Sequence, residues 1–101
     1  MGREYVRNTA FSFSETKTGN APDAYAGITT FTVKTDSILM MAFDNPAIFR
    51  TGDPAAGWNE DIELPANSGL SIDGAFRGFD VHNKTAGLVA RYQVVGTWRT
   101  P

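Results

Sequence analysis

Residues 64–98 read LPANSGLSIDGAFRGFDVHNKTAGLVARYQVVGTW, three stretches of β-strand character separated by two turn signals. Ile72, Phe76, Phe79 and Val81, then Ala90, Tyr92 and Val94, supply alternating apolar positions, and Asp73-Gly74 and the 83–87 segment NKTAG interrupt them. Alternation places every second side chain on one face of a pleated strand, and glycine-bearing breaks let the chain reverse. The spacing predicts an antiparallel hairpin region, with Gly74 and Gly87 at positive φ.

The rest of the chain points the same way. Residues 4–13 alternate around Tyr5, Thr9, Phe11 and Phe13 and read as a long first strand. Residues 14–26, SETKTGNAPDAYA, carry Gly, Asn, Pro and Asp without a sustained period, as an exposed connection would, with Tyr25 pinning its far end. Residues 28–34 and 36–43 are rich in β-formers and predict a second hairpin, broken near Thr35-Asp36. The punctuation of residues 44–60 is too dense for a long element and leaves room for one helical turn at 47–49. Ile62 and Leu64 form a short strand that Pro65 ends. No window has a 3.6-residue period. About eight short strands without a helix favour an all-β fold, a single antiparallel β-sandwich of jelly-roll type spanning 1–101, over a helical or α/β domain; an up-and-down barrel is the alternative.

Composition limits the partners. Nine basic and eleven acidic residues give a formal charge of -2, and the basic residues are dispersed, so a nonspecific electrostatic grip on nucleic acid is not expected. The longest apolar run, ILMMAF at 38–43, is strand-sized and far short of the roughly 18 residues of a membrane span. The first residues are charged and polar where a secretory signal needs an apolar stretch, so the sequence leads us to expect synthesis in the cytoplasm and no membrane partner. Without cysteine there is neither a disulfide nor a thiolate metal site.

No catalytic set stands out. Asp80 and His82 share a strand face and could pair, but alternation puts them on the solvent side, and a metal would need another convergent ligand. Asp53, Glu60, Asp61 and Glu63 are hard-cation ligands by type, yet their spacing fits no EF-hand, and a loop of solvated charges is the simpler reading. Ser12, Ser14 and Ser71 lack a nucleophile-elbow context, and the glycines form no phosphate loop. Asn83-Lys84-Thr85 is formally a glycosylation sequon but reads better as a turn. No metal, cofactor or catalytic residue is therefore expected. Trp58 and Tyr25, in loops, could stack on a sugar or base; burial of Trp58 at one end of the sandwich or against a neighbouring subunit is favoured. Tyr25, Phe49, Trp58 and Trp98 are the candidate interface residues.

The order Leu64-Pro65, Ile72-Asp73-Gly74, the 78–87 run GFDVHNKTAG and the 90–94 run ARYQV resembles small virion structural proteins of tailed bacteriophages. In those proteins a strand ends in Leu-Pro, a glycine turn follows, and a strand closing in an Asn-x-Thr turn pairs with the last strand. The resemblance covers the last third of the chain. It implies a jelly-roll-like decoration, cement or tail-associated protein located in the virion, non-enzymatic, binding itself (a trimer favoured) and a major capsid protein. The alternative it leaves is a carbohydrate- or receptor-binding sandwich of a tail fibre or baseplate.

Overall fold

A computed structural model of the protein describes residues 11–53 and 57–100, and every described element is a β-strand. The strands are β1 (Phe11–Ala21), β2 (Thr29–Ala42), β3 (Ala47–Asp53), β4 (Gly57–Trp58), β5 (Ile62–Leu64), β6 (Ser68–Asn83) and β7 (Ala90–Thr100). All pairings are antiparallel, and the sheet runs β1-β7-β2-β6-β3-β4, with β5 also on β3.

This one sheet folds over on itself. Phe49 on β3 and Tyr92 on β7 are three strands apart, roughly 14 Å in a flat sheet. Their ring centroids lie 6.2 Å apart, edge to face. The fold-over is possible because β2 and β6 are long enough to belong to both layers. The 37–42 part of β2 pairs with β7 and with the 68–73 part of β6, forming the first layer with β1. Beyond the bend, β2 at 29–30 pairs with β6 at 78–79, and β6 at 78–83 pairs with β3 to form the second layer. The bend falls where the register slips around Thr35 on β2 and where Gly74 takes φ 153° on β6. The result is an all-β antiparallel sandwich.

Between the layers lie Phe31, Ile38, Met40, Phe49, Phe79 and Val94, none more than 1 % exposed. Phe79 is the centre of this core, its ring meeting both Phe31 and Tyr92. Gly96 on β7 admits Phe31 and Thr35, whose atoms lie within 3.0 Å of where a Cβ would stand. Of the alternating apolar positions read from the sequence, Phe76, Phe79, Val81 and Val94 are buried with Phe31, and Tyr92 packs against them. The side chain of Phe11 and the 4–10 part of the first expected strand lie outside the described residues.

Several local expectations are corrected. Residues 14–21 are not a connection but most of β1, because eight consecutive pairs with β7 satisfy the backbone groups on that side despite poor local propensity. Residues 28–43 do not form a hairpin: the irregularity at Thr35-Asp36 is a bulge at which a single strand changes layer. Asp73-Gly74 likewise bends β6 without reversing it, although Gly74 has the expected positive φ; Gly87, at φ 88°, is in a true turn. β6 and β7 are not hairpin partners, since β2 lies between them. Ala47 and Phe49 belong to a strand, not a helical turn, because β5 and β6 pair with β3 from its two sides.

Candidate functional site

The concentration of polar and aromatic groups lies on the outer face of the second layer. Register fixes its floor: Ile48 opposes His82, Arg50 opposes Asp80 and Gly52 opposes Gly78, so these three pairs share one face while Phe49, Thr51, Phe79 and Val81 point inward. The paired glycines make part of that floor flat. A Cβ on Gly52 would meet the Gly57 carbonyl at 2.5 Å, and one on Gly78 would meet the Thr29 carbonyl at 2.3 Å. Trp58, paired with Gly52, lies over the first; Ile28 lies against the second.

Arg50 is the hub. Its guanidinium carbon is 4.1 Å from the Tyr25 ring centroid and 4.4 Å from that of Trp58, and its Nη2 donates to Asp80 Oδ2 at 3.3 Å. Asp80 is 3 % exposed and also accepts the Val81 amide. Tyr25 stands edge-on to His82, ring centroids 4.5 Å apart, and its hydroxyl donates to Asp61 Oδ1 at 2.7 Å. Burial, then the hydrogen bond to Asp61, push the Tyr25 phenol well above its usual range, so it stays a neutral donor. One guanidinium contacts both rings, and two carboxylates, Asp80 and Asp61, flank the cluster.

This arrangement corrects one expectation. Asp80 is on the predicted face but buried, because the 22–28 loop and Trp58 cover it. Its oxygens accept from Arg50 and Val81 and are not paired with the imidazole; His82 Nδ1 meets the Asn83 carbonyl at 2.7 Å. The acidic segment is likewise divided among separate partners: Asp61 serves Tyr25, Glu63 meets Lys84 at 2.6 Å, and Asp53 lies 3.8 Å from Lys34. Among the described residues no group of three or more His, Asp or Glu is placed to hold a metal ion. The sequon asparagine, Asn83, is 3 % exposed and its amide donates to Asp23 and to the Leu88 carbonyl. An oligosaccharide has no access to that nitrogen in the folded chain.

The four candidate interface residues separate. Tyr25 and Trp58 are half-buried together around Arg50, so Trp58 covers a sheet face and does not plug an end of the sandwich. Phe49, fully buried at 0 %, is a core residue of this chain and offers nothing to a neighbour, because the alternation of β3 turns it inward with Ala47 and Thr51. Trp98 is half-buried and stacks on its cross-strand partner Phe13, which is 45 % exposed, their centroids 6.1 Å apart. Arg50 was not singled out from the sequence, and Asp61 and Phe13 were named there only as a cation ligand by type and as a strand residue. Arg50 and Asp61 carry no local motif, since what joins them to Tyr25 is strand register and a long loop.

No protein-family model matches the sequence, and no characterised protein matches it by sequence. Among solved structures the fold is similar to that of the Bacillus endospore appendages described as a novel family of disulfide-linked pili. The likeness has a TM-score of 0.62 at 13% sequence identity and covers 93% of this chain and 89% of that one. At that identity the two share a fold.

Proposed function

We propose that this chain is a non-enzymatic structural subunit, a single sandwich unit that works by associating with copies of itself in an extracellular appendage or particle. The observation that carries the reading is the fold shared along nearly the whole chain with a subunit of pili. Cysteine is absent from this sequence, so copies of it are not joined by the disulfide linkage of the Bacillus appendages. The chain also has the surface such a role requires: Phe13, Leu39, Leu70, Leu88 and Val89 are each more than one-third exposed.

A narrower form of the proposal is a decoration or cement subunit on a phage capsid, in which the partner surface is a major capsid protein and the chain associates as a trimer. It rests on the virion-protein resemblance of residues 64–94. A sugar platform at Tyr25 and Trp58 is less well supported by the geometry, because the Arg50 guanidinium already lies over both rings.

The experiment is light scattering and negative-stain electron microscopy of the purified chain across concentration, alone and mixed with phage capsids. Filaments, rings or discrete oligomers of the chain alone support the general reading, and saturable attachment to capsids supports the narrower one. A monomer at every concentration that binds no particle would overturn both.

A further inference from the structure

A strand with both faces buried reads as a continuous apolar run, whereas one with a face in water alternates. The ILMMAF run at 38–43 has the two-sided pattern, yet the described residues cover one side of it. Ile38, Met40 and Ala42 are at most 1 % exposed, whereas Leu39 is 38 % exposed and Met41 and Phe43 are half-buried. The second layer shows what a finished outer face looks like: there Tyr25, Ile28 and Trp58 lie over β3 and β6. No described segment does this for the first layer.

Register extends the uncovered row. Leu39 opposes Val95 and Met41 opposes Gln93; one pair further the Phe43 amide donates to the Arg91 carbonyl, and beyond it Asn45 donates to the Val89 carbonyl. One surface therefore carries an apolar row ending in an apolar tip. The tip is held rigidly, for Asn45 and Asn83 bind the carbonyls of Val89 and Leu88 at 2.5 and 2.6 Å while those side chains stay 57 % and 46 % exposed. Beside the row is a groove of about 460 Å³ lined by Leu39, Met41, Phe43 and Asn67, opened by Gly69, which faces Met41 without a side chain.

We infer that the outer face of the first layer packs against the same face of a second copy, the Leu88–Val89 tip of each seating in the Leu39–Met41 groove of the other. Knob and groove on one surface make that surface complementary to itself, as a two-fold contact requires. Its charges do not oppose that occupant. Arg91 and Asp44, beside Phe43, neutralise each other through two hydrogen bonds, so like surfaces meet without repulsion and nothing there selects a partner of opposite charge. The inference rests on the self-association proposed above and names the face that carries it.

The cysteine-free chain allows a direct test. Val89 and Leu39 are six residues apart along the paired strands, about 20 Å, too far for a disulfide within one chain. A Val89→Cys/Leu39→Cys variant should give a covalent dimer on mild oxidation, and a Val89→Cys/Glu60→Cys control should not. Leu39→Lys and Val89→Asp, both at exposed positions, should each weaken association at least tenfold in sedimentation equilibrium with an unchanged circular dichroism spectrum. If the wild type associates but neither substitution weakens it and no cross-link forms, this face is wrong and self-association stands. If the wild type is a monomer at all concentrations, both fall.

Discussion

Asn83 donates its side-chain amide to Asp23 at 3.0 Å across sixty residues of sequence, and the same Asp23 oxygen accepts the Gly87 amide at 3.0 Å. The β1–β2 and β6–β7 connections are thereby fastened to each other by one carboxylate. These hydrogen bonds, the Gly87 amide first, hold the Asp23 carboxyl below its usual range.

The latch should be acid-labile. A carboxyl whose folded pKa is depressed stabilises the fold fully above its unfolded value, about 4, and loses that contribution as pH falls through the folded value. Glu15, held low by Lys17, and Asp44, held low by Arg91, act with the same sign. The thermal unfolding midpoint should be level from about pH 7 to 5 and fall below about pH 4. Asp23→Asn keeps an acceptor oxygen but removes the titration, so it should lessen the fall; an identical acid profile in the variant would show that the latch does not contribute.

Truncating Phe49 or Phe79 to Ala should cost about 3–5 kcal/mol each, since both rings are fully enclosed and meet Tyr92. Phe13→Ala, at a 45 % exposed position, should cost far less. Urea unfolding of the three variants checks this order, and a mild effect for Phe49 would place it back on a surface.

Gly78→Ala should destabilise by about 1–3 kcal/mol, as overpacking does, because the added carbon meets the Thr29 carbonyl, a backbone atom that cannot swing aside. Gly87→Val should also destabilise, for a different reason: its Cβ has open space, but φ 88° strains a β-branched residue. Hydrogen exchange separates the two, with protection lost at the 29–30 pairing in the first case and at the 84–89 loop in the second.

Arg50→Met keeps much of the stem that packs on Tyr25 and Trp58 but leaves Asp80 without its cationic partner. Stability at pH 7 should fall by about 2 kcal/mol, less than for a fully enclosed pair because Arg50 retains some contact with water. Adding Asp80→Asn should recover part of the loss. Equal loss in the double variant would mean that ring packing, not charge, is what Arg50 provides.

The strand content and the core were legible because alternation is a local signal: Phe31, Phe79, Val81 and Val94 announce their inward face within five residues of sequence. Connectivity was not. Whether Asp73-Gly74 reverses a strand or bends it depends on where β2 lies, and β2 is placed by pairs 26 to 60 residues away. The same holds for the Arg50 cluster, whose members come from two loops and three strands. Tyr25 and Trp58 were visible as aromatics out of place, but the guanidinium joining them was one charged residue among twenty. Phe49 was misjudged because the Pro and Gly residues around it obscured the strand that turns it inward.

The ladder between β1 and β7 begins with Phe11 opposite Thr100 and ends with Ala21 opposite Ala90. Both ends of the described chain thus emerge side by side at one end of this ladder. Tension applied through those two ends would open the ladder like a zipper, stressing one pair of hydrogen bonds at a time. Tension passed across the sheet faces would be shared by many pairs at once. A fibre or shell assembled from this subunit resists pulling best when neighbours grip its faces and its termini carry little force.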